Sequence, residues 1–337
     1  MQVQPRAEDG SRWTILAGAI TLVVIAAGAC APPRGEFPGP MAGTLTVPDR
    51  VTVRAAGKVT SIPLDEYVLG AVLAEVTPVG ETDATIARIY EVQSIVARTY
   101  AISKLGRHKQ DGFDLCDSTH CQLYQPARVT SSRFADAARA AVARTAGRVL
   151  AYEGHIAEAL FHADCGGATT SADAVWGGPA LPYLRTIIDK LPAETHRPWQ
   201  ISIPAEQLRQ ALDADPRTDV GRTLTAIEVT TRDESGRAAG LDVRGQRSYT
   251  VRGDVLRTVI NQKFGDKAVQ STRFNLTKSG SQYVFKGTGY GHGVGLCQRG
   301  AITRARQGEG VEEILRVYFP GVTVTKGRGQ RAEGKGN

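Results

Sequence analysis

The sequence predicts an α+β fold: one large domain over residues 44–326 with a smaller α+β lobe inserted at 199–288. Three observations carry this prediction. Stretches with helical and with strand-like periodicity are mixed without regular β-α alternation, which argues against a parallel, doubly wound sheet. Glycine and proline punctuate the chain, and no internal repeat is present. Finally, 337 residues with 42% hydrophobic content suffice for one large core or two modest ones.

Taken in order, Arg6 and Arg12 precede an uncharged apolar stretch at 13–29, which ends in Gly28-Ala29-Cys30 followed by Pro32-Pro33. This is the pattern of an export signal over residues 1–30. A membrane-spanning helix needs roughly 20 apolar residues, and this stretch is shorter. The small-residue pair before a cysteine resembles a bacterial lipoprotein signal, in which Cys30 becomes the lipidated N-terminus. Ala27 stands where such signals usually carry Leu, so cleavage after Ala31 and a retained short anchor are the alternatives. The expectation is an exported protein, held at the outer face of the cytoplasmic membrane or in the periplasm through the lipid or anchor. A net charge of +7 is spread along the chain, which argues against a nucleic-acid partner and fits attraction to anionic surfaces.

Residues 31–43 form a Pro/Gly linker. Period-two alternation through Leu45, Val47, Val51 and Val53 then predicts a strand pair turning at Pro48-Asp49. Helices are expected at 64–75, with Val68, Ala71 and Val72 on one side, and at 83–105, with Ile86, Ile89, Val96 and Tyr100 at helical spacing. A helix at 132–145 closes at Gly147, and strands follow at 148–152 and 156–162. In the lobe, a helix starts at Pro204, strands surround Ile227-Val229 and Leu241-Val243, and a helix at 254–264 stops at Gly265. Helices at 298–307 and 311–318 end before Pro320-Gly321, and 327–337 is a polar, basic tail.

Three segments concentrate residues able to carry chemistry. Glu75 ends the first helix. Cys116, His120 and Cys121 lie within six residues, with His108 just upstream, a donor set that suits tetrahedral zinc; a Cys116–Cys121 disulfide is the alternative. Gly-rich strings at 161–177 and 290–301 hold His162, Cys165, Trp176, His292, Cys297 and Gln298. A Cys nucleophile paired with His162 or His292 is a further reading of these strings.

The order Tyr67-Val68-Leu69-Gly70, Ala74-Glu75, Val96-Ala97-Arg98-Thr99-Tyr100-Ala101, Phe161-His162-Ala163-Asp164-Cys165-Gly166-Gly167 with Val175-Trp176-Gly177, and Gly291-His292-Gly293-Val294-Gly295-Leu296-Cys297-Gln298-Arg299-Gly300-Ala301 resembles the stage II sporulation protein D (SpoIID/LytB) family over residues 44–321. The resemblance implies a SpoIID-like catalytic domain: a peptidoglycan lytic transglycosylase of cell-wall remodelling or sporulation, acting by preference on peptide-free glycan strands. It implies Glu75 as the catalytic acid and a zinc held by His108, Cys116, His120 and Cys121, with no metal required for the chemistry. The chain departs from the family in the residues after Glu75, where Val76-Thr77-Pro78 replaces Met-Pro and a longer loop follows. Cys165 and Cys297 stand where the family often has Ser, and their joint presence suggests a disulfide across the cleft. Candidate substrate contacts are Arg98, Tyr100, Trp176, His292 and Gln298, with structural roles as the alternatives. A hydrolase would need a second carboxylate, for which Asp114, Asp117, Asp164 and Asp173 are the candidates. Some relatives are amidase enhancers, so a glycan-binding stimulator of a wall amidase is the competing function.

Overall fold

The computed structural model describes residues 45–330. The expected signal with Cys30, the linker and positions 331–337 lie outside the described residues. The observed architecture is a mixed α+β fold built from several small sheets around a helical centre.

The domain opens with β1 (Thr46–Pro48), β2 (Arg50–Ala55) and β3 (Lys58–Pro63). The chain reverses at Ala56-Gly57, not at Pro48-Asp49: both residues have positive φ (48° and 79°), the geometry whose twist matches an antiparallel hairpin, and this joins β2 to β3. α1 (Leu64–Glu75) follows, with residues 67–73 all buried, so it is an internal helix and not an amphipathic surface one. α2 (Asp83–Ser103) starts at Thr82, whose side chain accepts the Thr85 N–H, and it runs through the middle of the core against α1. β4 (Leu115–Cys116) adds to β2 in parallel.

The helix expected at 132–145 is α4 (Ala135–Arg144), and a short helix not expected, α3 (Arg128–Ser131), precedes it. β5 (Arg148–Tyr152) pairs with β6 (His155–Ile156), and β7 (Phe161–His162) is a separate strand, so the single strand expected at 156–162 is broken. α5 (Ala172–Trp176) begins at Ser171, whose hydroxyl accepts the Ala174 N–H.

Residues 198–288 supply β8 (Pro198–Pro204), α6 (Ala205–Asp213), β9 (Leu224–Arg232), β10 (Ala238–Gly245), β11 (Ser248–Arg252), α7 (Gly253–Phe264), β12 (Phe274–Ser279) and β13 (Gln282–Thr288). They form two antiparallel three-stranded sheets, β11-β10-β9 and β12-β13-β8. Their apolar residues, from Trp199 to Phe285, make a hydrophobic cluster distinct from the one that runs from Val47 to Val322.

The chain then returns to the first cluster. β14 (Leu296–Cys297) lies parallel to β7, α8 (Gln298–Arg306) and α9 (Val311–Tyr318) pack near α2, and β15 (Thr323–Lys326) pairs with β5. Residues 328–330, expected as tail, form β16 (Arg328–Gln330), which pairs in parallel with β1. Among the described residues, no helix is long and apolar enough to cross a membrane.

Candidate active site

Glu75 ends α1 because the next three residues cannot extend the helix. Thr77 precedes a proline and is steered toward extended backbone, and Pro78 has no N–H with which to continue the helical hydrogen bonding. Val76 is already extended (φ −126°, ψ 127°) while its N–H still donates to Val72 O. Arg128 covers another terminal carbonyl, its Nη1 donating to Leu73 O at 2.8 Å.

The Glu75 carboxyl is half-buried. Its Oε1 accepts the Leu123 N–H at 2.9 Å, and Gln298, the first residue of α8, hydrogen-bonds it from its side chain. Gln298 Nε2 in turn approaches Gln93 Oε1 of α2 at 3.5 Å. Burial dominates the carboxyl's environment and pushes its pKa up to about 7, against the two hydrogen bonds, which favour the ionised form. The negative end of the α1 dipole acts in the same direction as burial. A carboxyl in this state can give up a proton near neutral pH and take one back.

Leu123 is held in place by its neighbours. Gln122 Nε2 donates to Ala97 O at 3.2 Å, and the Tyr124 ring stacks on Tyr67 with centroids 5.0 Å apart. Tyr124 also lies over Gly70, where a Cβ would sit 2.5 Å from Tyr124 Cε2. Glycine in mid-helix thus admits the loop that brings the Leu123 N–H to Glu75. A backbone N–H leaves no mark in a sequence; Gln93, a polar residue on an otherwise apolar helix face, was the one available signal.

The other expected contacts divide. Gln298 meets Glu75. Trp176 is 42% exposed, with its ring 5.2 Å from that of His292. His292 itself accepts the Val294 N–H on Nδ1 at 3.0 Å and hydrogen-bonds the Phe161 backbone, and burial lowers its pKa to about 4. Both of its polar edges therefore serve the fold, and it acts as a support for Trp176. Arg98 corrects the expectation of a substrate contact: it is fully buried, pairs with Asp65 at 2.8 Å, and donates to the Ser94, Val142 and Arg148 carbonyls. Tyr100 is also a core residue, 5% exposed, edge-on to Phe161, with its hydroxyl accepting from Arg107.

Most candidate second carboxylates are committed elsewhere. Asp114 accepts from Thr52 and from the Gly106 N–H, Asp117 from the Ala56 N–H, and Asp164 is buried against His196 at 2.6 Å. Asp173 lies in the first turn of α5.

His108, Cys116, His120 and Cys121 do converge, with one ligand atom from each within 4.8 Å of the others. His108 Nε2 is 3.5 Å from Cys121 Sγ, and His120 Nδ1 is 3.9 Å from Cys116 Sγ. Tetrahedral zinc with ordinary Zn–N and Zn–S bonds requires donor separations of about 3.3–3.8 Å, so the donor set suits it once the longer separations contract by up to about 1 Å. His108 Nδ1 faces Asp111 Oδ2 at 3.3 Å, the outer contact that orients a metal-binding imidazole. Both cysteines are free thiols, not a disulfide.

Cys165 and Cys297 are likewise adjacent but unbridged: the Cys165 N–H donates to Cys297 Sγ at 3.2 Å, and both are free. The contact with Cys297, together with burial, raises the Cys165 pKa, which disfavours the thiolate that a nucleophile needs. The bridge expected between them is absent from the structure, though the two segments meet.

The fold and this site define a mixed α+β protein with a half-buried carboxyl group, its pKa raised to about 7, at a helix end. Comparison with known proteins supplies the family. Residues 53–152 match the SpoIID model (stage II sporulation protein), and residues 192–295 match a domain of unknown function (DUF8618). The chain is 28% identical to a stage II sporulation protein D of Bacillus amyloliquefaciens, over 80% of this chain and 76% of the relative. It is 28% identical to an amidase enhancer of Bacillus subtilis over 70% of this chain, which spans 37% of that relative, and 27% identical to an uncharacterized protein of Brachyspira hyodysenteriae over 79% of this chain and 67% of that relative. Residues 53–152 are thus a SpoIID region, and the chain is similar to SpoIID proteins over most of its length.

Proposed function

We propose that this protein is an exported lytic transglycosylase of the cell envelope, cleaving peptidoglycan glycan strands with Glu75 as both acid and base. The observation that carries the reading is the Glu75 carboxyl, with a pKa near 7 and fixed by the Leu123 N–H and Gln298. In its neutral form it donates its proton to the bridging glycosidic oxygen as the C–O bond breaks. The resulting carboxylate takes the proton from the sugar's own C6 hydroxyl as that oxygen closes on C1, giving a 1,6-anhydro end. No attacking water is needed, so one carboxyl suffices, and the engagement of Asp114, Asp117 and Asp164 in the fold favours this over a two-carboxylate hydrolase.

Trp176 offers an exposed ring face to a sugar, backed by His292. Residues 199–288 act as an inserted lobe. A zinc ion at His108, Cys116, His120 and Cys121 is structural: when bound it ties the segment leading to Leu123 and takes no part in the bond chemistry.

The name of the Bacillus subtilis relative favours a second reading, in which the chain binds glycan and accelerates a partner amidase. One experiment separates the two. Purified protein is incubated with peptide-free glycan strands and, together with a wall amidase, with intact sacculi, and products are read by mass spectrometry. Anhydro ends are expected, with Glu75→Gln slower by about 10²–10⁴-fold. Reducing ends alone indicate a hydrolase; uncut glycan with a stimulated amidase indicates the enhancer.

A further inference from the structure

The structure assigns a second binding site to the segment 232–288: a basic cavity built to take a phosphate or carboxylate group of an anionic polymer. The cavity measures about 400 Å³, and three cations, Arg232, Arg273 and Lys286, line it together with Asn275, Thr288 and Phe274.

Strand register builds this cavity. Asn275 and Lys286 are cross-strand partners of β12 and β13, and the next pair is Phe274 with Gly287. A Cβ on Gly287 would sit 2.5 Å from the Trp199 ring, so the strand has no side chain there. Arg232, at the end of β9, is fixed in place by three acceptors: its Nη1 donates to Gly236 O at 2.8 Å, and its Nη2 to Phe274 O at 3.0 Å and Asn275 Oδ1 at 3.1 Å. Two of its five N–H donors remain for a ligand. Arg273 donates through Nη1 to Gly166 O, which couples the cavity to the Gly-rich string that carries His162.

The charge balance points to an anion. No carboxylate lines the cavity, and among the described residues none of the three cations forms an ion pair. The charge of Arg273 also opposes that of buried Arg237, which Asp233 favours. Like charges held in one concavity repel, and the field they focus there is relieved by a bound anion. A site of this volume accepts a group the size of one charged sugar or a polyol phosphate unit. Nucleic acid fits less well, because single-stranded recognition needs exposed stacking rings and Phe274 is 3% exposed.

The site stands apart from glycan cleavage, so its test does not depend on that activity. Full-length protein is titrated calorimetrically with a poly(glycerol phosphate) oligomer in one arm and muramyl dipeptide, a carboxylate source, in the other. The arm that binds identifies the source of the anion. Lys286→Glu and Arg232→Gln are expected to weaken binding by about tenfold or more, the scale of one charge-assisted contact. Lys58→Glu, the same charge reversal on the β2–β3 hairpin, is expected to stay within about twofold, as a screened surface charge does. Equal weakening by Lys58→Glu, or no binding in either arm, overturns the proposal. Lys286 is exposed, so its variant retains the fold and keeps the test decisive if Arg232→Gln does not fold.

Discussion

At the scale of the residue, the contrast between Glu75 and Arg98 is instructive, because both stood out in the sequence and their surroundings give them opposite roles. Glu75 is buried with no charged partner among its influences, so its proton is retained to about pH 7. Arg98 is buried with Asp65 and three carbonyls, so its charge is used inside the fold. The raised pKa of Glu75 has a consequence for stability. In the unfolded chain the carboxyl ionises near pH 4.5 and in the folded one near 7, so unfolding releases a proton between those values. The stabilisation is full below pH 4.5 and is lost as pH rises through about 7. Glu75→Gln removes the penalty of a buried carboxylate: urea unfolding should find the variant more stable than the native protein at pH 8, by at most about 3 kcal/mol, and equal to it at pH 4. The same titration predicts that glycan cleavage by the native protein declines above pH 7. A variant less stable at pH 8 would show that Glu75 is not held neutral by the fold.

The loop that carries the Cys/His cluster is the element that decides the site. It starts beside α2, gathers four ligand atoms within 4.8 Å, and two residues after Cys121 presents the Leu123 N–H to Glu75. An ion at the cluster would close this loop, which Gln122, Leu123, Tyr124 and Gln125 also hold to α2 and α1. Elemental analysis is expected to find one zinc per chain. After chelation, amide exchange at residues 116–125 should rise by about tenfold or more while α1 and α2 stay protected, because local opening is set by the contacts of the segment that opens. Unchanged exchange in a metal-free chain would remove the metal from the account of this loop. Much of this element was legible: His108, Cys116, His120 and Cys121 are recognisable by donor type and spacing. The Leu123 contact was not, since it depends on Tyr124 resting where Gly70 has no side chain.

For the whole molecule, the question is how two hydrophobic clusters behave as one protein. Arg237, 1% exposed, belongs to the segment of the second cluster and donates to the carbonyls of Cys165, in the first, and of nearby Ala168, each at 2.7 Å. Gly293 makes room for it: a Cβ there would lie 2.4 Å from the guanidinium carbon, and its φ of +85° suits glycine alone. Arg273 on Gly166 O adds a further tie. Calorimetry is expected to show a single unfolding transition for the native chain. Arg237→Met, by removing the hydrogen bonds of a charged donor to Cys165 O, Ala168 O and Ser235 Oγ, should cost about 3 kcal/mol or more and split the transition in two. One transition, merely shifted, would mean that the remaining ties suffice.

The α+β class, the helix ending at Glu75, the long α2, α7 and the two C-terminal helices were readable from periodicity and from Gly265 and Pro320-Gly321, because these signals act on neighbours along the chain. Turn position at Ala56-Gly57, the pairing of β1 with β16, and the withdrawal of Arg98 and Tyr100 into the core were not, since each depends on groups distant in sequence. The same holds for Glu75. Local sequence placed its carboxyl at a helix end, but its proton affinity belongs to burial, to an N–H forty-eight residues on and to an amide at the start of α8, which only packing brings together.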